Sequence, residues 1–184
     1  MESMKLPSVF LVAPAALFCS LSASPGADQS GAEQTKKPVK AEVVGAAKAE
    51  NEGKIGNIEV TYADGTKDRW TTKGDAGLPR VAPDGSVGWT VYGPAAKVAA
   101  SYTMRPNGTV VICRQGKVLC RAQTGLAFVE DWSFVEGGRQ FAVKTRATHG
   151  PATVELHDSQ SGKRLGEVRA SGEKLPKWAA PYRE

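Results

Sequence analysis

From Ile55 onward, apolar and polar residues alternate with a period of two in short runs, cut by Asp64-Gly65, Asp84-Gly85, Asn107-Gly108, Gly137-Gly138 and Ser161-Gly162. Successive side chains of a strand point to opposite faces of a sheet, so each run can bury one face, and the glycine pairs supply the tight turns between runs. The spacing predicts strands at 56–63, 66–72, 79–83, 86–92, 99–105, 108–114, 117–122, 130–135, 139–147, 152–158 and 163–170. No segment carries a sustained helical period. The fold class is therefore all-β, built as a sandwich, a barrel or a propeller.

Internal repetition narrows that choice. Val81-Ala82-Pro83-Asp84-Gly85-Ser86-Val87-Gly88-Trp89-Thr90-Val91 aligns with Ser133-Phe134-Val135-Glu136-Gly137-Gly138-Arg139-Gln140-Phe141-Ala142-Val143 at an offset of 52, and Tyr102 and Met104 fall on Val154 and Leu156 at the same offset. Leu78-Pro79-Arg80-Val81-Ala82 further matches Leu175-Pro176-Lys177-Trp178-Ala179 at an offset of 97. Repeats of this length with several strands per unit are the signature of propeller blades.

The Pro83-Asp84-Gly85 turn before an aromatic-bearing strand resembles the WD-like repeats of TolB-type β-propellers, as does Trp132-Ser133-Phe134 followed by Gly137-Gly138 and by Glu155-Leu156-His157-Asp158 with Ser161-Gly162-Lys163. The resemblance covers residues 55–181. It implies four-stranded antiparallel blades and a role in binding a protein or a ligand. The repeats supply about two and a half blades, fewer than the four to eight of a closed ring. The expected architecture is a partial β-propeller-like arrangement, with a β-sandwich as the alternative. It either ends as an open sheet or covers its edges with copies of itself, making a homo-oligomer.

The N-terminus reads differently from the body. Lys5, the apolar stretch Leu6–Leu21 and the small residues from Ser22 to Ala27 form the three parts of a secretory signal peptide, 1–27. The apolar stretch is shorter than the span a bilayer requires, so no stable membrane span is expected after cleavage. Residues 28–54, rich in Ala, Gly, Lys and Glu and without an aromatic residue, read as a flexible polar leader with at most a fragment of helix at 39–50. The all-β repeat domain is 55–184, and the location is periplasmic or secreted.

Cleavage after Ser22, Ser24 or Ala27 removes Cys19 and leaves Cys113 and Cys120. An even pair in an oxidising compartment reads as a disulfide. The intervening Arg114-Gln115-Gly116-Lys117-Val118-Leu119 fits a hairpin. With Gly116-Lys117 as a type II′ loop, the two cysteines stand opposite each other at a bridgeable separation. Neither the spacing of a redox dithiol nor that of a metal site is present.

The net charge of +5 arises mostly at 161–184, where six basic residues face three acidic ones, and no basic run with interleaved aromatics occurs. No nucleic-acid partner is expected. The acid and base candidates are Glu130, Asp131, His149 and His157, whose plainer roles are turn and surface residues. Phosphate loops, nucleophile elbows and zinc motifs are missing, and the sequence implies no cofactor. Trp70, Trp89, Trp132 and Trp178 fall at comparable places in the units, as blade core or as platforms for sugars. The expected function is that of an exported non-enzymatic module binding a protein or cell-envelope partner; the alternative is a carbohydrate-binding, lectin-like oligomer.

Overall fold

The computed structural model describes residues 36–48, 54–99, 102–147 and 149–184. Residues 1–27, read above as a signal peptide, lie outside the described residues. The strands are β1 (Pro38–Lys48), β2 (Lys54–Tyr62), β3 (Lys67–Arg69), β4 (Ala76–Val81), β5 (Val87–Val91), β6 (Ala96–Ala99), β7 (Tyr102–Met104), β8 (Thr109–Arg114), β9 (Lys117–Gln123), β10 (Phe128–Val135), β11 (Gln140–Arg146), β12 (Thr153–Asp158) and β13 (Arg164–Arg169). The all-β class holds: among the described residues every pairing is antiparallel, and the helical elements are short 3-10 turns at Glu136–Gly138 and Ala180–Tyr182.

One sheet runs β1-β2-β4-β5-β8-β9 with β3 beside β2, a second runs β10-β11-β12-β13, and β6-β7 is a separate hairpin. Neither closes on itself, since β1 and β9 end the first and β10 and β13 the second. β2 touches β4 through the single pair Gly56–Ala76. The sheet folds over at that pair. In a flat sheet β2 and β8 would stand about 14 Å apart, yet Ile58 and Val60 of β2 share one core with Val111 and Cys113 of β8.

Three apolar layers follow. The first lies between β1-β2-β3 and one face of the meander β4-β5-β8-β9. The second lies between that meander's other face and β10–β13, joining Val110, Ile112 and Cys120 to Trp132, Phe141 and Val143. The third covers the far face of β10–β13 with the C-terminal segment, through Ala142, Val154, Ala170, Ala179 and Tyr182. A strand buried on both faces needs no polar alternation. That accounts for the unbroken apolar run Val110-Val111-Ile112, whose alternate side chains enter different layers.

Trp132 holds the middle layer. It is fully buried, packs edge-on to Phe134 and Phe141, and donates its Nε1 hydrogen to the Leu78 carbonyl at 2.8 Å. Gly88 of β5 makes room for it: a Cβ there would stand 2.5 Å from the Trp132 ring and 2.7 Å from Ile112.

The offset-52 repeat is realised in part. The hairpin β4-β5 stands first in its meander as β10-β11 does in the second, but the registers differ: Val81 pairs with Val87, whereas Ser133 pairs with Ala142. Tyr102–Met104, however, lies in the β6-β7 hairpin, and β8 takes the place matching β12. The Leu175–Ala179 match is one of residue types only. That segment turns, with the Pro176 carbonyl accepting from the Ala179 and Ala180 amides, and forms no strand.

Two further expectations are corrected. Residues 38–48, placed in a flexible leader with a trace of helix, form β1, where Ala41 pairs with Val60 and Val43 with Ile58. Ala41 and Val43 pack on the first core, so β2 supplies the apolar partner that this segment lacks by itself.

The disulfide is the other correction, because Cys113 and Cys120 are both free and buried. The loop is Gln115-Gly116, with φ of 51° and 72°, and the flanking pair is Arg114–Lys117. Positive φ at both central residues makes it a type I′ turn, one residue earlier than expected. That slip pairs Cys113 with Val118, and an irregularity then sets Ile112 opposite Cys120. A one-residue shift reverses the face each side chain takes. Cys113 therefore enters the first core and Cys120 the second.

Two outcomes check this packing. Trp132→Ala should lower the unfolding free energy by about 3–5 kcal/mol in urea titration, the cost of removing a large buried aromatic. Alkylation of the unfolded, unreduced protein should label the peptides carrying Cys113 and Cys120 one adduct each; a mass two hydrogens light with no adduct would restore the bridge.

Candidate functional site

The segment 70–75, between β3 and β4, is held by its own backbone. Trp70 N donates to the Ile58 carbonyl, Thr71 Oγ1 accepts from Ile58 N at 2.8 Å, Asn57 Oδ1 accepts from Gly74 N at 2.8 Å, and the Asp75 carbonyl accepts from Tyr92 N at 2.7 Å. Between this segment and β5, β8 and β9 lies an open cleft of about 490 Å³. Trp70, Trp89, Val91 and Val118 give its apolar lining, and Arg69, Lys73, Arg121 and Asp75 its charges.

The two indoles differ in what they offer. Trp89 is 6% exposed and belongs to the first core. Trp70 is only partly buried, with its Nε1 hydrogen given to the Tyr62 hydroxyl at 3.1 Å, which fixes the ring against β2. Trp70 is therefore the platform and Trp89 the wall.

Several charges of the protein are paired. Lys67 meets Glu59, Arg80 meets Asp131, and Arg114 meets Asp84. Around the cleft, Arg69, Lys73, Arg121 and Asp75 make no side-chain ion pair or hydrogen bond among the described residues. Cys113 also lines the cleft, but burial pushes its thiol up to about 11 despite nearby Arg121. It stays a thiol at neutral pH and is a poor nucleophile.

The acid and base candidates do not converge. Glu130 bonds Arg146 and Lys144 beside Glu184, where burial raises its pKa but the hydrogen bonds from those two cations outweigh it and hold the carboxyl below its ordinary range. Asp131 accepts from Arg80 at 2.8 Å and from its neighbour's amide, Trp132 N, at 2.8 Å. His149 is exposed near the β11–β12 turn.

His157 is 1% exposed, stacks on Phe141 at 5.1 Å between ring centres, and sits with Nε2 3.0 Å from Glu155 Oε2. Its Nδ1 lies 3.1 Å from the Gly162 carbonyl. A carbonyl can only accept, so Nδ1 carries hydrogen. Glu155 Oε1 accepts from Gly125 N at 2.8 Å. Burial raises the Glu155 carboxyl, but His157, the Gly125 amide and the charges of His157 and Arg164 outweigh it and keep its pKa below the usual glutamate range. Glu155 thus holds the Gly125 amide with one carboxylate oxygen and lies within hydrogen-bond distance of the imidazole with the other. It ties β12 to the 124–126 loop and faces no cleft.

Sequence reasoning named His157 and missed Glu155, whose signal is its same-face spacing of two on a strand. It also missed the cleft, although Arg69-Trp70-Thr71-Thr72-Lys73-Gly74-Asp75 concentrates charge and an aromatic residue in one short run. Among the described residues no cluster of three or more His, Cys, Asp or Glu is arranged to hold a metal ion, and no helix is long and apolar enough to cross a membrane. Models of known protein families give no match to the chain, and curated proteins give no relative.

The buried pair sets a pH dependence. A carboxyl depressed in the folded state stabilises the fold above its unfolded pKa and loses that contribution as pH falls through the folded value. Glu155→Gln should destabilise by about 2 kcal/mol near pH 7, where a buried charge-assisted bond becomes a neutral one. Urea midpoints at pH 7 and pH 3 should show the deficit shrinking in acid.

Proposed function

We propose that the chain is an exported, non-enzymatic module that binds a component of the cell envelope in the Trp70 cleft. The observation that carries this is the cleft itself: about 490 Å³ with an indole platform, ringed by three cations that have no ionic partner among the described residues. Sites for small ligands are concave, largely apolar and supplied with a few placed polar groups. Unpaired cations at such a site favour a negatively charged ligand. Export rests on the N-terminal segment's signal-peptide pattern.

Size bears on the partner. Twelve residues line the cleft, whereas a stable protein interface uses about 20–30 residues a side. A compact ligand suits it better than a folded protein. A non-enzymatic role is supported by the acid and base candidates, which are engaged in ion pairs, buried away from the cleft or isolated at a turn. The TolB-like relation belongs to the same proposal: two four-stranded meanders stacked on one apolar layer are what two adjacent blades would present.

The test is a fluorescence titration of the full chain with polysaccharide, lipid and protein fractions of an envelope preparation. One fraction should quench tryptophan emission saturably, and the combined variant Arg69→Gln, Lys73→Gln, Arg121→Gln should weaken that binding at least tenfold. All three side chains are exposed, so stability should stay within about 0.5 kcal/mol. Saturable binding that the variant leaves unchanged, or none with any fraction, overturns the proposal.

A further inference from the structure

A second recess lies on the other side of the β8–β9 hairpin tip. Its volume is about 230 Å³, and Lys36, Lys37, Pro38, Asp84, Gly85 and Arg114 line it together with Gln115. The next residue, Gly116, lines the Trp70 cleft. The two hollows thus share the Gln115-Gly116 turn as a common wall. That wall is low at its crest, because no heavy atom lies within 4 Å of the place where a Gly116 Cβ would stand.

The charges on the two sides match in sign. The first hollow has Arg69, Lys73 and Arg121. The second has Lys36, which shares Asp64, Arg114, which shares Asp84, and Lys37, whose side chain makes no ion pair among the described residues. Six cations therefore line the two hollows, with Asp75 and Asp84 among the lining residues and Asp64 paired to Lys36. A single anionic residue would use only one hollow.

Resting on the binding role proposed above, we infer that the ligand is an acidic glycan, a uronate-bearing oligosaccharide that stacks on Trp70, crosses the Gln115-Gly116 turn and ends against Lys37 and Arg114. Three features select this class among polyanions. Asp75 is an unpaired carboxylate among the cations of the first hollow: it accepts from sugar hydroxyls, and a uronate chain carries hydroxyls as well as carboxylates on every unit. Trp70 is the one accessible aromatic platform and the second recess has no aromatic lining, while single-stranded nucleic acids are held by successive stacked bases. An acidic peptide lacks both the ring face that an indole covers and the hydroxyls that Asp75 needs.

The test is calorimetry on the full chain with galacturonate, glucuronate and mannuronate oligomers of one, two, four and six units. Neutral galactose oligomers, an oligothymidylate and polyglutamate serve as comparisons. Acidic hexamers should bind at least tenfold tighter than the dimers and weaken several-fold on raising the salt from low to physiological strength. Lys37→Gln should remove most of the chain-length gain, and Arg121→Gln should weaken every length. Affinity independent of length, or unmoved by Lys37→Gln, overturns the spanning path. Tighter binding of oligothymidylate, polyglutamate or neutral oligomers overturns the ligand class. If no acidic oligomer binds while an envelope fraction still quenches tryptophan emission through Arg69, Lys73 and Arg121, this inference fails and the binding role stands; if neither binds, both fail.

Discussion

The close seating of Trp132 against Gly88 is the constraint on which the rest of the molecule depends. A strand with apolar side chains on both faces must have a layer on each side, and the β4-β5-β8-β9 meander meets its second layer where the indole presses on bare backbone. Any side chain at position 88 would hold the meanders apart. Dispersion falls off steeply with such a gap, so Ile112, Phe141 and Val143 would lose contact together. The hydrogen bonds that Trp132 Nε1 gives to Leu78 and that Arg80 Nε gives to the Trp132 carbonyl fix the same junction in register, which packing alone does not.

Much of this was legible in the sequence because it depends on local rules. Asp84-Gly85 closes as an Asx turn, with Asp84 Oδ1 accepting from Ser86 N at 2.9 Å and Gly85 at a φ of 83°. Asp64-Gly65-Thr66 does the same. Such turns are set by residues two apart, so period-two runs between them place strands to within a few residues. What was not legible needed a partner distant in sequence. Pro38–Lys48 carries Lys40, Glu42 and Gly45 among small and branched residues, with no sustained period-two pattern, and it forms a strand where β2 offers it a partner. Leu175–Ala179 repeats the letters of a strand, but it packs against the buried side chains of Val154 and Ala142 and lies across them as a turn.

The hairpin tip shows how small a local ambiguity decides a large outcome. Gln115-Gly116 and Gly116-Lys117 are both acceptable two-residue loops by composition. The first needs a left-handed non-glycine residue, which costs of order 1 kcal/mol. The second would avoid that cost, but β5 holds Val111 opposite Trp89, so β9 would turn over and take Cys120 and Ala122 out of the layer they share with Val129 and Phe141. Burying an aliphatic side chain contributes about 1.5–3 kcal/mol, and several are at stake. Tertiary packing wins, Gln115 accepts its φ of 51°, and the cysteines part to opposite faces.

The same choice builds the candidate site. With the loop at 115–116, β9 starts at Lys117, and Val118 and Arg121 line the cleft while Cys120 and Ala122 enter the core between the meanders. With the loop one residue later, the faces of β9 would exchange, Arg121 would be driven toward Val129 and Phe141, and the cleft would lose a cation. Burying that guanidinium without a partner would cost several kcal/mol, far more than the strain at Gln115. The unpaired charge beside Trp70 is thus a consequence of how the core is registered: the fold keeps Arg121 out of its apolar layers, and the cleft is where the fold leaves it.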